Sequence, residues 1–234
     1  MGKSRVTVDY GASPIILVAP HGSKSDDFNT DLLTERTADL LNCNYVINHG
    51  WRKSDNLDIK NEKANCNNFY HMIDEVYDEF CKPILEMAST VLKFYDICFV
   101  AWIHGVSDNV RNIYKKNDID VIFGDGEASG TKNKTCTNHL KEFVIKNLCD
   151  NGIKCYSSYP GNKYNGASIS NMNQLWNLHV KNTRVQSFQL EVVKELREDK
   201  TMTILSSDYF ADALKNIENY RLWTKPHNSS IRFI

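Results

Sequence analysis

The sequence predicts an α/β fold, a sheet covered by helices on both faces. Two observations carry this: short apolar runs that read as buried strands recur along the chain, and helical patterns lie between them. In chain order, Pro14–Ala19 reads as the first buried strand. Asp31–Leu41 follows as a helix, with Leu32, Leu33, Arg36, Leu40 and Leu41 on or near one stripe after the cap-like Asn29-Thr30. Tyr45–Asn48 is the second strand. Phe69–Phe94 is a long amphipathic stretch with Pro83 inside it, which predicts two helices or a kink. Strands at Ile97–Ile103, Ile119–Phe123 and Val185–Val193 follow, with helices at Thr135–Cys149, Ser170–Leu178 and Asp208–Trp223.

Composition narrows the possibilities. The 234 residues are 41% hydrophobic and 24% charged, which suits one large domain over 1–234 with a substantial core. Five prolines, 11 glycines and no repeat or linker-like stretch favour one continuous unit. The 28 basic residues nearly balance the 29 acidic ones, giving a net charge of -1. No basic field exists to hold nucleic acid or an anionic membrane. The apolar runs are too short to span a bilayer, and the first residues lack the apolar core of a secretory signal. Seven cysteines without a CxxC pair suit free thiols. The expectation is a soluble, cytoplasmic protein.

The strand ends carry the chemistry. Ile15–Ala19 runs into Pro20-His21-Gly22, and Cys98–Ile103 runs into His104-Gly105. Ligands of open α/β sheets bind beyond the carboxyl ends of strands, so both imidazoles stand where chemistry usually occurs. Each following glycine would let the backbone turn and leave the ring uncovered. Two histidines in the same setting suggest a metal site, and a catalytic zinc needs a third protein ligand. Asp26 and Asp27, five and six residues past His21, supply the first choice. His49-Gly50, after the apolar run Tyr45–Ile47, competes but has no second polar group beside it in sequence. Alternation along Val185–Val193 places Phe188, Leu190 and Val192 on one face and Ser187, Gln189 and Glu191 on the other. A carboxylate in so apolar a strand is costly unless it has a cation or a task, or lies on an edge strand facing water. Beside a metal-bound water it would act as general base.

These residues resemble the N-formylglutamate amidohydrolase family, which is related in fold to zinc carboxypeptidases and has phage relatives that hydrolyse poly-γ-glutamate. The resemblance rests on Pro20-His21-Gly22, Ile103-His104-Gly105 and Gln189–Val192, and runs from about Pro14 to Arg197. Asp120–Gly124, Tyr164–Gly166 and Asn171–Gln174 fall in matching order. It implies a three-layer α/β/α sandwich with a mixed, mostly parallel central sheet and one zinc ion. By position, His21, His104 and one of Asp26 and Asp27 would be ligands, and Glu191 the base. Family amidohydrolases use an Asp-x-Asn-Arg stretch to grip the substrate carboxylate. Here the matching region reads Arg52–Asp55 and then Ala64–Asn68, without the final arginine. Arg52 or Arg111 would then meet the carboxylate, because guanidinium matches it bidentately. Arg111 is also the candidate catalytic arginine that would hold the carbonyl oxygen with zinc as charge develops. Asn67, Asn171 and Gln174 are the further substrate-binding candidates, and Arg197 reads as structural.

The implied activity is zinc-dependent hydrolysis of an amide bond, N-acyl or γ-glutamyl, near a carboxylate. Its rival is a non-catalytic binding protein on the same fold. A cysteine nucleophile fits poorly, since no cysteine stands in a turn beside a histidine. The glycine-rich Gly124–Thr131 lacks the Gly-Lys-Ser/Thr of a phosphate loop and reads as a substrate-lining turn. The aromatic, Asn-rich Tyr156–Asn173 reads equally as a lid or a surface excursion. His71, His139, His179 and His227 read as surface residues.

Overall fold

The computed structural model describes residues 5–22, 26–51, 64–129 and 133–217. Seven strands form one sheet: β1 (Val6–Asp9), β2 (Ile15–Ala19), β3 (Asn44–Asn48), β4 (Cys98–Val106), β5 (Val121–Gly124), β6 (Cys155–Ser157) and β7 (Val185–Val193). Their order is β1-β3-β2-β4-β7-β5-β6. β3, β2, β4 and β7 run parallel to one another, while β1 and the β5–β6 pair run against their neighbours. The sheet is therefore mixed and mostly parallel.

Alternate residues of the central strands feed two separate cores, as burial on both faces demands. Leu17, Ala101, Leu190 and Phe123 pack with α1 (Thr30–Leu41), α5 (Asn138–Asp150) and α6 (Lys200–Leu214). Ile16, Val18, Val100 and Trp102 pack on the other face with Ile84, Met87 and Val91 of α3 (Lys82–Phe94). Three layers result. Pro83 stands in the first turn of α3 (Lys82–Phe94), where a missing N–H is tolerated. Between α2 (Asp74–Val76) and α3, Tyr77–Cys81 forms a π turn in which the Lys82 N–H donates to the Tyr77 carbonyl.

Several elements differ from the sequence expectation. β1 and β6 were not anticipated, being an edge strand of four residues and a strand of three. The last helix starts at Lys200 rather than Asp208, capped by Asp199, whose carboxylate accepts from Met202 N at 2.9 Å. Its buried face holds Thr203, Ser206 and Ser207, whose hydroxyls bond to backbone carbonyls, so an apolar stripe is hard to see in sequence. Ser170–Leu178 forms a 3-10 turn (Met172–Gln174) and a π turn (Leu175–His179) rather than a regular helix. Most consequential is β4, which continues through Gly105 to Val106 and stays paired with β7. His104 is therefore a strand residue whose direction the pleat fixes. Gly105 serves close approach: a Cβ there would lie 2.5 Å from Cζ of Arg197.

Candidate active site

Parallel pairing of β4 with β7 sets His104 directly beside Glu191, on the same face of two adjacent central strands. His21 stands two residues past the end of β2, on the other side of β4. Its ring centroid is 5.4 Å from that of His104, with the planes tilted by 54°. The chain then turns back, and Asp27 N–H donates to the His21 carbonyl at 3.0 Å. This brings Asp27 Oδ2 to 3.5 Å from His104 Nδ1 and lets it accept from Gly105 N–H at 3.0 Å. All four side chains are buried or nearly so: His21 is 6% exposed, Asp27 6%, His104 4% and Glu191 9%.

Burial by itself would raise the Asp27 carboxyl. The hydrogen bond and positive field of His104, the field of His21 and the Gly105 N–H outweigh it, and hold the group well below the usual carboxylate range. Glu191 accepts a hydrogen bond from Gln189 Nε2 at 3.0 Å. Behind the cluster, the buried guanidinium of Arg197 joins the three site-bearing segments. It donates to Val192 O of β7 (3.1 Å), Val106 O of β4 (3.2 Å) and Phe28 O, next to Asp27 (2.6 Å). Asn29 adopts a left-handed φ of 59° and donates its amide to Arg197 O at 2.8 Å instead of capping α1. The structural reading of Arg197 thus has a specific content that its sequence position alone did not give.

The donor set suits zinc in type, two imidazoles with carboxylates nearby. Two imidazoles on one tetrahedral zinc would have centroids roughly 5 Å apart, given Zn–N bonds of about 2.0–2.1 Å. The observed spacing fits that figure and also ordinary ring packing. Among the described residues, no three His, Cys, Asp or Glu side chains are gathered tightly enough to form a metal cage. Residues 23–25, between His21 and Asp26, lie outside those described. Asp27 Oδ2 faces His104 Nδ1, a contact by which a carboxylate can orient an imidazole.

The other sequence candidates fall elsewhere. His49 lies 3.0 Å from Thr7 Oγ1 and 3.6 Å from Asp31 Oδ2, away from the His21–His104 pair in its contacts. Arg111 follows β4 in α4 (Val110–Tyr114), donates to Ile119 O at 3.0 Å, and pairs with Glu195 at 2.7 Å and Asp120 at 3.8 Å. Its guanidinium is occupied by two carboxylates. Arg52 lies outside the described residues. Asn67 Oδ1 is buried without a hydrogen-bond partner among the described residues, and Asn171 bridges to the adjacent Asn68. Gln174 is fully buried and its amide donates to Gly126 O and Gly166 O, a scaffold contact. Within Tyr156–Asn173, Asn165 and Asn173 are likewise fully buried, while Tyr159 and Ile169 are exposed, so the segment is anchored in the core at two points and open to solvent at two others. A separate cavity of about 280 Å³, lined by Lys134, Thr137, Trp176, Lys181 and Gln186, opens at the start of β7, the opposite end from Glu191.

Sheet order and helical layers together define an α/β/α fold shared with solved hydrolases. N-formylglutamate amidohydrolase from Ralstonia eutropha JMP134 is similar over 93% of this chain and 98% of its own, at TM-score 0.61 and 14% identity. A bacteriophage poly-γ-glutamate hydrolase is similar over 94% of this chain and 90% of its own, at TM-score 0.55 and 15% identity. YNDL, solved in a zinc-free apo form, is similar over 90% and 89%, at TM-score 0.50 and 14% identity. The fold implied by the sequence resemblance is the fold observed. No family model matches the sequence, and no curated protein does.

Proposed function

We propose that this chain is a zinc-dependent hydrolase, a single catalytic domain over 1–234, that cleaves an N-acyl or γ-glutamyl amide bond close to a carboxylate. The observation that carries the proposal is the register of β4 on β7: it places Glu191 beside His104, with His21 and Asp27 closing on the same imidazole. His21 and His104 would hold the metal. Asp26 is assigned as the acidic ligand, because Asp27 is engaged with His104 Nδ1 and Gly105 N–H. When bound, zinc supplies Lewis-acid polarisation and a more acidic water. Glu191 takes the proton of the attacking water and passes it to the leaving nitrogen. Arg52 is assigned to the substrate carboxylate, since Arg111 already holds Glu195 and Asp120. The names of the structural neighbours support the amide class, and the zinc-free description of one supports the metal. The near-neutral charge and the absence of any described helix long and apolar enough to cross a membrane accord with a cytoplasmic enzyme acting on a small or γ-glutamyl substrate.

The test is Glu191→Gln, assayed with wild type on N-acyl glutamates, N-formyl amino acids and γ-glutamyl oligomers. Loss of the base should lower the rate about 10²–10⁴-fold with folding and zinc content retained. Hydrolysis at the wild-type rate in the variant would reject the mechanism. Wild-type inactivity on the whole panel would favour the binding-protein alternative.

A further inference from the structure

We infer that Gln189 is the positioning residue of the site, fixing the Glu191 carboxylate and tying it to the turn at Lys163–Asn165. The inference rests on the reading of Glu191 as proton acceptor and extends it to a residue that touches no substrate. Residues 189 and 191 are two apart on β7, so their side chains stand on one face. Gln189 is 1% exposed. Its Nε2 donates both protons, to Glu191 Oε1 at 3.0 Å and to Tyr164 O at 2.8 Å. Its Oε1 takes no hydrogen bond among the described residues, so these two donations alone set the amide's orientation. A flipped amide would set oxygen against a carboxylate and a carbonyl.

The surroundings are shaped to this side chain. A Cβ at Gly124 would approach Gln189 Cγ to 2.6 Å, and one at Gly166 would collide with Oε1. Only glycines on both flanks leave the slot open, and Gly166 also adopts a φ of +65°. The far acceptor is itself held. Asn162 caps the turn by accepting from Tyr164 N at 3.0 Å, while Asn165 accepts from Asp125 N at 2.9 Å and donates to Glu127 O at 2.6 Å. The chain of contacts therefore runs from a pinned backbone carbonyl through a neutral donor to the proposed base. A neutral amide suits this task, because it steadies the carboxylate without competing for the proton that Glu191 must take up. This gives the turn at Lys163–Asn165 a definite part in the site: it supplies the anchor.

The experiment replaces Gln189 by Met, which keeps length but removes the donor, alone and with Glu191→Gln. On a substrate that wild type cleaves, Gln189→Met should lower kcat about ten- to a hundred-fold, since small misplacement of a reacting group costs that much. KM should stay within about two-fold. In the Glu191→Gln background the same replacement should change the residual rate by less than about two-fold, because its effect passes through Glu191. A general structural role would instead lower both rates by the same factor. The second readout needs no activity: a crystal structure of Gln189→Met should show the Glu191 carboxylate displaced with the His21 and His104 rings in place. An unmoved carboxylate, or equal loss in both backgrounds, overturns the inference. If Glu191→Gln itself proves fully active, the base assignment fails separately, and the crystal structure still decides whether Gln189 positions Glu191.

Discussion

His21 and His104 form one region of this molecule, and His49 forms another, though all three follow apolar strand runs and precede a glycine. Their strands β2, β4 and β3 are neighbours and parallel. His104 is 5% exposed in its side chain and sits between His21, Asp27 and Glu191. His49 is 39% exposed in its side chain and meets Thr7 on edge strand β1 and Asp31 on α1. The difference is place in the sheet. β4 has a strand on each side that delivers a polar group to its carboxyl end, while β3 adjoins an antiparallel edge strand that delivers a threonine. The local pattern marks the end of a strand; the neighbours decide whether that end becomes a site.

Variants of the converging region should break this contrast by graded amounts. Arg197→Met should have the largest effect on stability, because it leaves three carbonyls on three segments without their donor. Loss of those buried charge-assisted bonds should cost about 3 kcal/mol or more. In a chain of this size that lowers Tm by roughly 6–12 °C. A Tm unchanged within error would show that the guanidinium does not hold the segments together. Asp26→Asn and Asp27→Asn sharpen the contrast at the metal. The Asp26 variant should lose stoichiometric zinc, whereas Asp27→Asn, acting through His104, should weaken affinity about 10–100-fold. The reverse ranking, read by competitive chelator titration, would exchange the two roles.

The buried thiols offer the mildest test. Cys98 opens β4, Cys43 precedes β3, and Cys81 closes the π turn before α3. All seven cysteines are free, and only Cys149 is exposed. Burial pushes Cys43 and Cys81 up from 9.0 to about 12. The folded state thus keeps protons that the unfolded state releases. Their contribution to stability is intact below pH 9.0 and is lost as pH rises through about 12. Denaturation across that range should show falling stability, with a shallower fall in Cys43→Ala. An identical slope in that variant would contradict the burial argument.

The sequence made the end of β2 legible, because its apolar run stops abruptly at Pro20. It placed Glu191 correctly on the polar face of β7 because a strand's period is two. It did not reveal that β4 continues through Gly105, since glycine after histidine reads as a turn unless the packing of Arg197 is known. Nor did it separate Asp26 from Asp27, whose difference lies in a backbone turn that points one of them at His104. Gln189 was visible only as part of a motif. Its partner, Tyr164 O, is a backbone atom 25 residues away, which side-chain patterns do not report.

The central claim, that the ends of β2 and β4 hold one metal while the end of β3 does not, is tested most directly by elemental analysis. Zinc should be measured in wild type, His21→Ala and His49→Ala protein purified alike. The account predicts about one zinc per chain in wild type and in His49→Ala, and almost none in His21→Ala. Stoichiometric zinc in His21→Ala, or its loss from His49→Ala, would contradict it.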